Sequence, residues 1–200
     1  MFYWLAMLLR PILLLIWRPK VYGNRRALFT RGKVMFICNH VDMLDPLMLG
    51  LVSPRIIHFM AKKELFEKPI GNFVFRNLFV FPVDRGSADI KSIKSALKLL
   101  EKGKAFGIFP EGRRMVADRM DEFEMGTSLI SIRSGAPIVP VYLKNDSFRK
   151  GVKMIVGEPI RPEEVTIDGL SRKENEQLFT RRIRSALEAL QSDLEEICAS

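Results

Sequence analysis

The stretch Val34-Met-Phe-Ile-Cys-Asn-His-Val-Asp-Met-Leu-Asp-Pro46 joins a short apolar run to a polar loop and a helix start. Val34 to Cys38, mostly apolar, predict a short buried strand. Asp is a favoured helix cap and Pro is favoured at the first helical position, so Asp45-Pro46 predicts a helix from about Pro46 to Val52 with Asp45 as its N-cap. His40 then stands at the strand's end. On a helix, side chains five residues apart would diverge by about 140°; across a loop they can meet. A carboxylate that accepts from one imidazole nitrogen fixes the tautomer and leaves the other nitrogen as a base. The same residues also suit a strand-end histidine beside an ordinary helix cap, so the rest of the chain must decide.

Two hundred residues give one domain room for a full core. With 48% hydrophobic and 28% charged residues the chain is globular, not disordered. Its net charge of +9 suits nucleic acid, anionic headgroups or phosphorylated substrates. The basic residues are spread over several elements without interleaved aromatics, which argues against nucleic acid. Two cysteines, Cys38 and Cys198, make neither a disulfide framework nor a metal spacing, and two histidines, His40 and His58, do not make a zinc site. This usage fits a reducing compartment.

Met1 to Trp17 holds fifteen apolar residues, interrupted by Arg10 and Pro11. As a helix it would span roughly 26 Å, short of a hydrocarbon core of roughly 30 Å. Arg10 is costly in mid-membrane and Pro11 would kink a helix. The expectation is a segment lying in one leaflet as two short helices bent at Pro11, with Phe2, Tyr3, Trp4 and Trp17 as interfacial anchors. Arg18, Lys20, Arg25 and Arg26 would meet anionic headgroups. Residues 1–26 are therefore read as a membrane-associating helical segment and 27–200 as the main domain. The location expected is the cytoplasmic face of the cell membrane, in a monotopic manner.

Further strands are predicted at Arg55–Ala61, Leu78–Val83, Lys104–Phe109 and Lys153–Val156, and Gly135–Leu143 reads as a turn followed by a strand. Helical segments fall at Ala61–Phe66 and Gly71–Phe75, after a Ser87 cap with Ile90, Ile93, Leu97 and Leu100 on one face, at Phe123–Arg133, and from about Ser171 to the end. Alternating strands and helices predict an α/β domain, with a mixed, largely parallel central sheet flanked by helices and the apolar N-terminal segment attached. Sites in such folds form beyond strand ends. His40, Arg85 and Glu111 each follow a predicted strand, which groups them into one site. His58 lies inside a strand with no motif around it and reads as structural.

Four blocks in order then resemble the 1-acylglycerol-3-phosphate O-acyltransferase family of glycerolipid acyltransferases. Asn39-His40-Val-Asp-Met-Leu-Asp45 resembles its His-four-residues-Asp motif. Phe81-Pro-Val-Asp-Arg-Gly86, Phe109-Pro-Glu-Gly112 with Arg113 and Arg114, and Ile138-Val-Pro-Val141 resemble the later blocks, and Lys63-Glu-Leu-Phe66 with Pro69 and Gly71 resembles the stretch before the second. The resemblance implies His40 as base and Asp45 as its orienting partner. It also implies that Lys63, Arg85, Glu111, Gly112 and Arg113 bind the acceptor, with Arg85 and Arg113 on its phosphate. The implied partners are lysophosphatidic acid, an acyl thioester of coenzyme A or acyl carrier protein as co-substrate, and a membrane surface. No cofactor, metal or nucleic acid is implied. The chain has no Gly-x-Ser-x-Gly elbow, in keeping with direct transfer.

Two departures stand out. Phe123-Glu-Met-Gly126 carries Glu124 where relatives place a Lys, and Met115 follows Arg114 where Ser is usual. They leave other acceptors open, such as a lyso-ornithine lipid or another lysophospholipid. Two further readings also stay open: a Cys38–His40 thiol mechanism, since residues two apart on a strand share a face, and a non-catalytic, membrane-surface phosphate-binding module.

Overall fold

The computed structural model describes residues 2–83, 90–110, 126–145 and 151–199. In chain order the elements are α1 (Phe2–Trp17), β1 (Lys20–Gly23), β2 (Val34–Cys38), α2 (Asp45–Val52), β3 (Ile57–Lys62), α3 (Pro69–Asn77), β4 (Val80–Val83), α4 (Ile90–Glu101), β5 (Ala105–Ile108), α5 (Gly126–Ser134), β6 (Ile138–Asn145), β7 (Val152–Val156) and α6 (Arg172–Ala199). Short 3-10 turns cover Arg25–Phe29, Lys63–Phe66 and Pro162–Glu164.

Among the described residues the strands form one sheet in the order β1-β7-β6-β2-β5-β3-β4. All neighbours are parallel except β6 and β7. The mixed, largely parallel sheet flanked by helices is therefore as expected. β2 lies between β5 and β6, and every one of its residues is buried. Helices cover both faces of a parallel strand in this position, so an unbroken apolar run replaces alternation. Val34, Phe36 and Cys38 pack in the layer that includes Met48 and Leu49 of α2. Met35 and Ile37 pack in the other, against Leu100 of α4, Ile130 of α5 and Phe179 and Ile183 of α6.

Three sequence expectations are corrected. The N-terminal segment is one helix with Pro11 inside it, not two helices bent there. Proline removes a single ladder bond; Leu13, Leu14 and Trp17 pack on the core, and Arg10 Nε donates to Leu51 O of α2 at 2.9 Å, so tertiary contacts on both sides of Pro11 fix the helix to the domain. A strand at Lys20–Gly23 was not expected; it lies within the segment grouped by sequence with the apolar N-terminus, and it pairs with β7 as a sheet edge. Ile90 is 63% exposed, so the inward face of α4 consists of Ile93, Ala96, Leu97 and Leu100. The Ser87 cap lies outside the described residues. No described helix is long and apolar enough to cross a membrane.

His58 is a half-buried structural side chain of β3. Its Nδ1–H donates to Ala105 O at 3.2 Å, and its ring meets Phe79 edge-on. Burial pushes its pKa below the ordinary imidazole value, partly offset by that hydrogen bond, with Lys104 lowering it further. The unfolded chain therefore takes up the proton first as the pH falls, and stability declines from about pH 6.5 downward. His58→Gln should flatten this decline, measured as the urea midpoint at about pH 7.5 and about pH 5.5.

Candidate active site

The parallel strands β2, β3, β4 and β5 end along one edge of the sheet, and the candidate site is built there. β2 stops at Cys38 because the next residue uses its side chain to continue the pairing. Asn39 is fully buried; its Nδ2 donates to Leu143 O at 2.8 Å and its Oδ1 accepts from Leu143 N at 2.7 Å. The carboxamide thus replaces a ladder pair and releases the main chain to turn, with His40 next in line. Truncation to Ala would orphan two buried backbone groups of Leu143. Asn39→Ala should cost about 2–4 kcal/mol of unfolding free energy, read by urea titration in detergent.

His40 meets Asp45 across the loop. Nδ1 lies 2.9 Å from Asp45 Oδ2, with side-chain exposures of 17% and 1%. The same oxygen accepts from the backbone N–H groups of Val41 and Asp42, each at 2.7 Å. Asp45 is therefore not the N-cap of α2: Leu44 holds that position and Asp45 begins the helix. Its carboxylate turns back into the loop because two amides and an imidazole converge there. Asp42 holds the turn, its Oδ1 accepting from Leu44 N at 2.9 Å. An ionised Asp45 accepts all three bonds, so Nδ1 carries the hydrogen and the lone pair rests on Nε2. Asp45 Oδ1 is buried without a hydrogen-bond partner among the described residues.

The imidazole face is packed by Phe109, the first residue past β5, with ring centroids 4.4 Å apart and planes 28° apart. Phe59 continues the stack at 5.9 Å. Gly107 makes this possible, since a Cβ there would collide with the Phe59 ring.

Asn39 and Phe109 gained no role from sequence, although a polar residue closing an all-apolar strand was a readable signal for the first. Lys63, exposed in the 3-10 turn after β3, leaves the same sheet edge. Arg85, Glu111, Gly112 and Arg113, together with Met115 and Glu124, lie outside the described residues. Cys38 is buried in the core and donates to Asn39 Oδ1 at 3.6 Å, consistent with a small hydrophobe rather than a nucleophile. Among the described residues no cluster of His, Cys, Asp or Glu could hold a metal ion. What remains is an imidazole oriented through Nδ1 and stacked on one face, with Nε2 left for proton transfer.

Residues 18–144 match the acyltransferase family. A 1-acyl-sn-glycerol-3-phosphate acyltransferase of Bacillus subtilis is 34% identical over 205 residues, covering 98% of this chain and all of the relative. The enzyme of that name from Cocos nucifera is 32% identical over 122 residues, 58% of this chain and 38% of its own length. The crystal structure of the 1-acyl-sn-glycerophosphate acyltransferase of Thermotoga maritima superposes with a TM-score of 0.68 at 20% identity, covering 98% of this chain and 82% of that one. With a family match across most of its length and a full-length relative, the chain belongs to the 1-acylglycerol-3-phosphate O-acyltransferase family of glycerolipid acyltransferases.

Proposed function

We propose that this protein moves a fatty acyl chain from an acyl thioester to the free hydroxyl of 1-acylglycerol-3-phosphate, making phosphatidic acid. The observation that carries this is the His40–Asp45 pair at the sheet edge, since a carboxylate that accepts from Nδ1 leaves Nε2 as the base. Nε2 takes the hydroxyl proton as the oxygen attacks the thioester carbonyl. The tetrahedral intermediate collapses, the carbon–sulfur bond breaks, and the leaving thiolate takes the proton from Nε2–H. An acyl ester and a free thiol result, with His40 restored and no covalent enzyme intermediate. Asp45 stabilises the transient imidazolium, whose face also lies on the Phe109 ring.

Arg85 and Arg113 would bind the acceptor phosphate through paired guanidinium bonds. Glu111, Gly112 and Lys63 would help place the acceptor beside Nε2. The co-substrate is acyl-CoA or acyl carrier protein thioester, and the step needs no other cofactor. The apolar α1, with Leu9, Ile12, Leu15 and Ile16 exposed along one side, supports monotopic membrane association, which we assign to the cytoplasmic face.

The deciding assay follows label from each acyl thioester into lysophosphatidic acid, wild type beside His40→Ala. Labelled phosphatidic acid from the wild type alone supports the reading. Full activity in His40→Ala would refute His40 as the base, and transfer by neither protein to any lysolipid tried would favour a non-catalytic module. The Glu124 and Met115 departures favour one second reading, another lysolipid as acceptor. Transfer to that lysolipid, with none to lysophosphatidic acid, would select it.

A further inference from the structure

We infer that α3 and the 3-10 turn before it form a second lipid-contacting surface beside α1, fitted to a leaflet with anionic headgroups. The inference rests on the membrane association proposed above and adds a contact that the N-terminal helix alone does not supply. α3 buries none of its residues fully, yet it exposes Ile70 at 80% and Phe73 at 52%, three residues apart on one side. Leu65 in the preceding turn is 46% exposed. Large apolar groups in one patch mark an interaction surface.

Three observations point to lipid. The same segment exposes the cations Lys62, Lys63, Lys68 and Arg76 against Glu64 and Glu67, a net +2 over residues 62–77. Basic groups around an apolar stripe suit an anionic interface. α3 also packs against α1, which exposes Leu9, Ile12, Leu15 and Ile16, so two neighbouring helices each present apolar groups to solvent. Finally, Met43, in the loop between His40 and Asp45, is 73% exposed at the sheet edge from which the 3-10 turn leaves. A surface resting on α1 and α3 would bring this loop to the headgroup layer, where an acceptor could reach His40 without leaving the leaflet.

The test is cosedimentation of the full chain with vesicles of phosphatidylcholine alone or with about one-third phosphatidylglycerol, at low and high salt. The expected results are stronger binding to anionic vesicles, weakening with salt, and a loss of about tenfold or more for Ile70→Glu/Phe73→Glu. Ile167→Glu/Leu170→Glu, the same number of changes at other exposed apolar positions, should bind as wild type. Ile70→Trp should raise the bound fraction, which separates a lost contact from a lost fold. Transfer to lysophosphatidic acid in detergent should survive in the double variant while transfer to vesicle-embedded acceptor falls.

Unchanged vesicle binding by the double variant, with binding lost in Ile12→Glu, would overturn the α3 contact and leave the α1 reading intact. No vesicle binding by wild type would overturn both. Weakened binding of acyl carrier protein, or loss of a wild-type dimer, with vesicle binding unchanged would assign the patch to that partner instead.

Discussion

His40→Ala is expected to lower kcat by about 10³-fold or more, with the fold and membrane partition retained. General-base catalysis contributes about 10² to 10⁴, and the neighbouring thiol of Cys38 is buried and so is no substitute. The imidazole also fills the space against Phe109, so truncation removes both base and stack. The split between parameters is informative. If His40 acts only on the proton, the KM for acceptor should change little while kcat collapses. A proportionate rise in KM with kcat preserved would instead assign His40 to acceptor binding. The check is steady-state transfer from an acyl thioester with acceptor varied, beside vesicle binding of the same preparation.

Asp45→Asn is expected to lower kcat by about 10²–10³-fold, and Asp45→Ala to do worse. The reason lies in how the carboxylate is used. One oxygen takes the imidazole and both backbone N–H groups, while the other makes no hydrogen bond among the described residues. Asparagine can place its carbonyl oxygen at the first position and its amide nitrogen at the second. It would preserve the loop and the Nδ1–H tautomer but lose the charge that stabilises imidazolium, so the variant isolates the electrostatic contribution. Alanine would also release Val41 N and Asp42 N and loosen the loop. Equal kcat for the two variants would show that the charge, not the loop geometry, carries the whole effect. Asp45→Asn at wild-type rate would remove Asp45 from the mechanism.

The parts of the fold that sequence revealed are those written locally. Val34–Cys38 is unbroken and apolar because both sides of β2 are covered, and Asp45-Pro46 marks the start of α2 through first-turn chemistry. The cap assignment failed because the general preference of Asp for that place yielded to three donors from its own loop. β1 was missed because four residues carry little periodicity and its identity comes from pairing with β7, more than a hundred residues away. Distance likewise hid Asn39, whose partner Leu143 is 104 residues on, and Phe109, which needs the sheet order to meet His40. The spacing of His40 and Asp45 suggested that they could meet; only the loop's hydrogen bonds show which oxygen is used.

The join between α1 and β1 has a mechanical consequence. Trp17 ends the helix and Lys20 begins the strand, leaving only Arg18 and Pro19 between them. Arg18 holds a positive φ of 41°, its N–H still bonded to Leu14 O, and proline fixes its own φ. Such a joint has almost no slack. A tilt imposed on α1 is passed to β1, then through β7 and β6 to the strand that carries His40. The helix is therefore less a tether than a stiff arm, and the height of the base above whatever holds α1 is set by the geometry of the sheet.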